Sequence, residues 1–236
     1  MVFLVSLGVS GNCKTRAGGA PRRPTFFMLT VYTVPISLYC AKLRIVLRHK
    51  KLQWDEQPPP GGYGSAEYKA IVVSGNLPAL VDENILIADS EAIAEYLDEK
   101  YPVPAMLPNK LGPRAKIREL SRFHDTRLEP EIRKLFGNLS SDKRDARLND
   151  IQANKINTRL SQLSNIIGPT PAKLTLAHCG YPITFAWLDV LVPLLSLKIR
   201  WPENMIKWRK DIEAFPAVTA ELSDYRPKLK EWLNTL

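Results

Sequence analysis

The run VPISLYC, residues 34–40, sets a serine and a cysteine three positions apart behind a proline. This is the shape of a thiol-redox loop whose first cysteine has become Ser37. Three readings fit it: a disabled redox motif, a site that serves a thiol brought by a ligand, or an ordinary helix cap. In the first, a cysteine at position 37 would be the nucleophile, held as thiolate by the free N–H groups and dipole of the following helix. In the second, serine offers a neutral hydroxyl that donates a hydrogen bond to a thiolate supplied from outside. In the third, Ser37 is only the N-cap of the helix that starts after it.

Two further stretches carry chemistry-bearing residues. In SGNLPALVD, Pro78 precedes a strand-like run. A cis proline there would expose the backbone N–H and C=O of the residue before it to a peptide-like ligand, whereas the bland reading is a turn proline. In ADSEAI, Asp89 and Ser90 open a helix. With Ser90 as N-cap, the free N–H groups can grip a carboxylate while Asp89 pairs an ammonium, the two ends of an α-amino acid. Tyr32 and Tyr39 flank the first loop and are alternative hydroxyl donors ranked below Ser37. His49 and His124 lie on helical stretches with no carboxylate or cysteine at ligand spacing, so no metal site is expected.

Composition bounds the function. The chain has 236 residues, 45% hydrophobic and 24% charged, which is ordinary for a folded protein with a substantial core. Three cysteines, Cys13, Cys40 and Cys179, show no zinc-like or paired spacing, which argues against a secreted disulfide scaffold and for a reducing cytoplasm. Cys40 reads as buried within the first helix and structural. The net charge is +9, to which Lys14, Arg16, Arg22 and Arg23 contribute without any acid before Met28. Elsewhere bases alternate with acids, as in KIRELSRFHDTRLEPEIRK, the mark of solvated helix faces. No RNA-binding signature or aromatic-interleaved basic stripe is present, so nucleic acid is not expected as a partner. A modest positive field favours small anionic ligands.

Residues 1–27 begin apolar and turn Gly-, Pro- and Arg-rich, with the positive charge after the apolar run, the wrong order for a secretory signal. They read as a disordered extension or as the product of a mis-chosen start codon, with Met28 the real one. From there LTVYTV (29–34) alternates as a strand, and a helix follows from Ser37 to about Lys50. LQWDEQ is a second strand, PPPGGYG a turn, AEYKAIV a short helix, and LPALVD and NILIAD a hairpin joined by EN. SEAIAEYLDEKY is a capped amphipathic helix. PVPAMLPNKLGP, with four prolines, reads as an interdomain connection.

Everything beyond is helical. Ile117, Leu120, Phe123, Leu128, Ile132 and Leu135 mark one apolar face, and Leu148, Ile151, Ile156, Leu160, Leu163 and Ile167 another, separated by SSDKRD. ITFAWLDVLVPLLSL is apolar nearly all round and reads as the buried central helix, interrupted by Asp189 and Pro193 and short for a bilayer span. The β-α-β-α-β-β-α order of the first third is that of a thioredoxin-like fold. The fold class is therefore an α/β thioredoxin-like N-terminal domain followed by an all-α helical-bundle C-terminal domain. The boundaries are 28–103, a connection at 104–112, and 113–236.

LTVYTVPISLYCAKLRIVL, GNLPALVDENILIADSEAIAEYLDEKYP and LTLAHCGYPITFAWL together resemble the cytosolic glutathione transferase family, serine-type, with zeta, theta or bacterial-type classes as models. The likeness runs from Met28 to the C-terminus and is most specific in the first domain. It implies glutathione as co-substrate, no metal, no membrane, a homodimer and a cytoplasmic setting. By the resemblance, Ser37 is catalytic; Leu77 and Pro78 hold the cysteinyl backbone of glutathione; Asp89 and Ser90 hold its γ-glutamyl end; and Asn76 sits near the glycyl carboxylate.

The electrophilic second substrate would lie against the first long helix of the second domain, where Arg114, Arg118, Ser121 and Arg122 share overlapping faces, and an acidic or phenolic molecule would suit them. Asp125 would reach the glutathione of a partner subunit. Where the family often has T-x-x-D, this chain has Thr175 and His178, a change expected to cost the helical domain about 1 kcal/mol. The activity implied is transfer of glutathione to an electrophile. Alternatives are a glutathione-dependent isomerase of the maleylacetoacetate kind, a lyase or dehalogenase, or a non-catalytic module of the same shape. The PISLYC loop differs from the SSCSWR-like loop of zeta members.

Overall fold

Alternation in LTVY buries Leu29 and Val31 and leaves Thr30 and Tyr32 partly open, which makes it a strand with one face on a core. This strand, β1 (Leu29–Tyr32), is the first element of a computed structural model that describes residues 28–140, 144–170 and 172–235. The proposed extension at 1–27 lies outside the described residues. Helix α1 (Leu38–His49) crosses over to β2 (Trp54–Gln57), which runs parallel to β1. After α2 (Ala66–Ile71), β3 (Ala79–Asp82) returns antiparallel to β1 and turns through Glu83 and Asn84 into β4 (Ile85–Ile87). Helix α3 (Ser90–Lys100) completes the unit. The sheet order is β2-β1-β3-β4, and every element expected from the sequence of this third is present in order.

Helix α1 is the centre of the molecule. Cys40 to Leu47 are all buried, because α1 packs on α3 and also on helices from the second half of the chain. The helices of that half are α4 (Leu111–Phe123), α5 (Glu129–Arg133), α6 (Ala146–Ile166), α7 (Tyr181–Leu195), α8 (Glu203–Glu213) and α9 (Pro216–Leu233), of which α9 and α7 pack on α1. Burial of Ile183, Phe185, Trp187, Leu188 and Leu191 makes α7 the core helix that its apolar sequence requires. The run Leu176–Leu195 is apolar enough by length and composition to cross a membrane, but 72% of it is buried inside the protein, as in a core helix.

Four departures from the sequence reading have physical reasons. Helix α7 is continuous rather than interrupted: Pro193 stands two residues from its end, where only one backbone bond is lost, and Asp189 faces solvent and pairs Arg209 at 2.6 Å. The five-residue step from Phe123 to Leu128 is a π-helical turn, His124–Leu128, joining α4 to α5. That i→i+5 turn keeps Phe123 and Leu128 on the same face where an α-helix would rotate them apart.

The proline-rich connection is shorter than expected, since α4 begins within it at Leu111, and it is held by hydrogen bonds. Asp98 accepts from the backbone of Met106 (2.9 Å) and Leu107 (3.0 Å), and buried Lys50 donates to Asp98 (2.6 Å) and to the Tyr101 and Pro104 carbonyls. Lastly, Thr175 and His178 do pair, Oγ1 to Nδ1 at 2.7 Å. Burial lowers the His178 pKa to about 4, so the ring is neutral at pH 7 and adds no positive charge at the helix end. The Thr175 side chain makes no cap bond to the backbone of this turn and is held by the histidine ring instead.

Candidate functional site

The loop between β1 and α1 ends at Ser37, whose extended backbone and side chain place it as N-cap: its Oγ accepts from the Cys40 amide at 3.3 Å. No acidic residue occupies the first turn of α1, so the amides of Leu38 and Tyr39 keep their partial positive charge and have no acceptor within the helix. The cap reading of Ser37 is thus satisfied. The cap bond does not use the Oγ–H, since a hydroxyl accepts and donates at once; the Cys40 thiol is a second neighbour of the Ser37 side chain.

Ser37 lines a cleft of about 590 Å³. Asn76, Leu77, Asp89 and Ser90 line the same cleft, so five of the six residues assigned to thiol chemistry and glutathione binding meet there. The sixth, Pro78, follows Leu77 through a cis peptide bond. This corner rests on its own small core of Cys40, Tyr68, Val72, Leu77 and Ala79, and the Tyr68 hydroxyl donates to the Asn76 carbonyl at 2.8 Å. Cys40 is fully buried there and burial raises its thiol pKa, which fits a structural role. One assignment changes: Asp89, not Ser90, caps α3. Its Oδ1 accepts from the amides of Glu91 (2.9 Å) and Ala92 (3.0 Å), while Ser90 is the first helical residue and is buried. A carboxylate outcompetes a hydroxyl for those two donors, and Asp89 still lines the cleft.

Of the residues expected to hold the second substrate, Arg122 lines the cleft; Arg118 and Ser121 do not. Arg118 is drawn to α3, where it holds Glu95 through two bonds of 2.9 and 2.6 Å, and Ser121 faces the interior. Arg114 donates to the Pro108 carbonyl. The far wall is instead aromatic. Phe136 stacks on Trp187 at 4.3 Å, Trp232 meets Trp187 edge-on at 5.8 Å, and the Arg133 guanidinium lies 5.5 Å from the Tyr39 ring and 5.6 Å from Phe136. Sequence reading missed Phe136, Trp187, Trp232 and Arg133 because their helices read simply as core.

Asp125 also lines the cleft, but it is engaged inside its own chain rather than left to reach a partner subunit. Lys42 Nζ, buried on α1, lies 2.8 Å from Asp125 Oδ2 and 2.7 Å from Glu91 Oε2. His124 Nδ1 lies 2.7 Å from Asp125 Oδ1, and its Nε2 lies 2.7 Å from Thr184 Oγ1. Burial alone would raise the Asp125 carboxyl, but the bond from His124 and the Lys42 charge outweigh it and hold the group well below the ordinary range. The π-helical turn aims both His124 and Asp125 inward. Gly180 on the neighbouring turn has no room for a side chain, since a Cβ would stand 2.5 Å from His124 Cε1. Tyr39 gives its hydroxyl to Glu129 at 2.9 Å, and burial raises its pKa far above the ordinary value, while Tyr32 packs edge-on against Tyr68. Tyr39 lines the cleft beside Ser37, with its hydroxyl engaged by Glu129, and Tyr32 is not among the lining residues. No group of three metal-ligating side chains occurs among the described residues.

A family model described as the N-terminal domain of glutathione S-transferase matches residues 31–109. The glutathione S-transferase Z1 of Arabidopsis thaliana is 40% identical over 90 residues, 37% of this chain and 41% of that protein. A stringent starvation protein A homolog of Coxiella burnetii is 33% identical over 81 residues, 34% of this chain and 39% of that protein. A maleylacetoacetate isomerase of Pseudomonas aeruginosa is 33% identical over 108 residues, 43% of this chain and 51% of that protein. The chain thus spans about half or less of the length of these curated relatives. Among solved structures, poplar glutathione transferase F1 superposes with a TM-score of 0.70 at 21% identity, over 86% of this chain and 99% of that one, a likeness of fold.

Proposed function

We propose that this chain, which belongs to the glutathione transferase family, binds glutathione in the cleft at the α1 N-terminus and activates its thiol. In this reading residues 28–103 hold glutathione and residues 113–236 supply the acceptor wall. Ser37 Oγ–H donates to the sulfur, the Leu77 backbone beside Pro78 holds the cysteinyl unit, and Asp89 and Ser90 hold the γ-glutamyl end. Asn76 lies toward the glycyl carboxylate. The observation that carries the proposal is the convergence of Ser37, Asn76, Leu77, Asp89 and Ser90 on one cleft, from three segments separated in sequence.

The chemistry follows from charge. A free alkyl thiol near pKa ~8.5 is mostly protonated at pH 7. The Ser37 hydroxyl and the positive end of α1 stabilise the anion, so the proton leaves to solvent; the thiolate then attacks an electrophilic carbon, forming the C–S bond as a halide or similar group departs with its bonding pair. The acceptor lies between Ser37 and the wall of Phe136, Trp187 and Trp232. Arg122, for which the described residues provide no ionic partner, faces its acidic or phenolic group. A homodimer accords with the exposure of Ile85 and Leu86 on the edge strand β4. A cytoplasmic setting accords with two buried unpaired thiols, Cys40 and Cys179.

A second reading has support from the relative named as a maleylacetoacetate isomerase: glutathione adds to an unsaturated acid and is expelled after rotation about the former double bond. The test for both is retention on immobilised glutathione followed by turnover of halogenated nitroaromatics and of cis-unsaturated keto acids. Retention with turnover of the first class supports the transferase and of the second class the isomerase. Retention without any turnover defeats both enzyme readings as stated, and failure to retain defeats both and favours a non-catalytic module of the same shape.

A further inference from the structure

The Ser37 loop has no regular secondary structure of its own, yet both backbone carbonyls ahead of Ser37 are held from behind. Arg44 Nη2 donates to the Pro35 carbonyl at 3.1 Å, and the same guanidinium is paired through Nε to buried Glu221 of α9 at 2.7 Å. The Tyr225 hydroxyl, also on α9, donates to the Ile36 carbonyl at 2.7 Å. That hydroxyl in turn accepts from Trp187 Nε1 at 2.8 Å. Tyr225 is 1% exposed and lies on the far side of the loop from the cleft. Burial keeps its phenol protonated, so it is a fixed donor at any ordinary pH.

The directions of these bonds matter. Ile36 immediately precedes Ser37, and the peptide plane whose carbonyl Tyr225 grips is the one that carries the Ser37 N–H. Rotation of that plane would swing the Ser37 backbone and its Oγ together. Within the loop itself, the described restraints on Ser37 are its own amide to the Val34 carbonyl, at 3.2 Å, and the cap bond to Cys40 at 3.3 Å, both long. The shorter Tyr225 bond comes from a residue 189 positions away in sequence.

We propose that Tyr225 is a positioning residue for Ser37, fixing through the Ile36 carbonyl the orientation in which the serine hydroxyl meets the glutathione sulfur. The inference rests on the reading of Ser37 as thiolate donor. Trp187 extends it: the indole whose N–H sets the Tyr225 hydroxyl also forms part of the aromatic wall, so the acceptor side of the cleft and the thiol side share one hydrogen-bonded link.

The test titrates the thiol of bound glutathione by its ultraviolet thiolate absorbance in the wild type and in Tyr225→Phe, Ser37→Ala and Val218→Ala. Tyr225→Phe removes one buried oxygen and keeps the ring. The expected result is that Tyr225→Phe raises the bound thiol pKa and lowers kcat by about tenfold, with KM for glutathione changed less than kcat. Val218→Ala, which truncates another buried residue of α9, should leave the bound thiol pKa where it is, separating positioning from loss of packing.

If Ser37→Ala raises the thiol pKa while Tyr225→Phe does not, the positioning role is overturned. If Ser37→Ala itself leaves the thiol unmoved, the underlying reading of Ser37 fails instead, and with it the inference. Should Tyr225→Phe not fold by circular dichroism, Trp187→Phe removes the donor behind the hydroxyl and is titrated with glutathione alone. A raised thiol pKa then supports the link, and an unmoved one overturns it.

Discussion

Lys42 Nζ and the Asp125 carboxylate, 83 residues apart in sequence, meet at 2.8 and 3.0 Å beneath the cleft. Lys42 is 1% exposed. Burial by itself would lower the pKa of such an ammonium, but Glu91 and Asp125 on either side raise it, so the charge is kept. The pair joins α1 of the sheet-bearing half to the π-helical turn of the helical half. A buried ion pair adds little net stability over a well-packed apolar pair, but removing one partner strands the other.

Lys42→Met should therefore destabilise the protein by about 3–5 kcal/mol, the cost of leaving Glu91 and Asp125 buried without their cation. Adding Asp125→Asn should return part of that loss. Denaturant unfolding of both single variants and the double variant measures the coupling, and strict additivity would contradict the pairing. Asp125, with its folded pKa depressed, contributes stability above its unfolded value near ~4 that is lost as the pH falls below it.

Ser37→Ala should lower turnover by roughly tenfold to a hundredfold while glutathione is still bound, as when one donor to a developing anion is removed. The same change costs the α1 cap about 1 kcal/mol, to be read separately from the melting curve. Ser37→Cys should redirect activity toward thiol transfer through mixed disulfides, detected as glutathionylated protein. Full activity of Ser37→Ala would reduce Ser37 to a cap.

Asp89→Ala removes both a helix cap and the proposed partner of the γ-glutamyl ammonium. The expected outcome is a KM for glutathione raised about tenfold or more, together with about 1 kcal/mol of lost stability. Asp89→Asn separates the two effects, because the amide oxygen still caps the helix but carries no charge. Equal KM values for Asp89→Asn and the wild type would remove Asp89 from the binding site.

Arg122→Gln should reduce the ratio of kcat/KM for a carboxylated halonitrobenzene to that for its uncharged analogue by about tenfold, the worth of one partly exposed charged hydrogen bond. Steady-state kinetics on the two acceptors supplies the ratio. An unchanged ratio would mean that Arg122 does not meet the acceptor.

His178 predicts a pH dependence of stability. Its folded pKa of about 4 lies below the unfolded value of 6.5, so the unfolded chain binds the extra proton first. Stability is fully present above 6.5 and is lost as the pH falls toward 4, by on the order of 3 kcal/mol in total. His178→Gln keeps an acceptor for Thr175 without the titration and should flatten the denaturation midpoint between about pH 5 and pH 7. A midpoint equally steep in the variant would assign the dependence to other groups.

The sequence by itself determined the strand and helix order of the first third, Ser37 as a cap, the Leu77–Pro78 corner, and Asp89 with Ser90 at the start of α3. Each is written in local signals: period-2 alternation, a capping residue before a helical stripe, a proline before a strand. Even the π-helical turn left its mark in the step of five from Phe123 to Leu128.

Tertiary structure alone decided which helix face met which. It withdrew Arg118 into a pair with Glu95, turned Asp125 to Lys42, gave Tyr39 to Glu129, and brought Tyr225 to the Ile36 carbonyl. No local pattern encodes such choices, because an arginine on a half-exposed face has several carboxylates within reach and only packing selects one. The loop carries its serine in its own sequence; what points that serine is supplied by a helix near the other end of the chain.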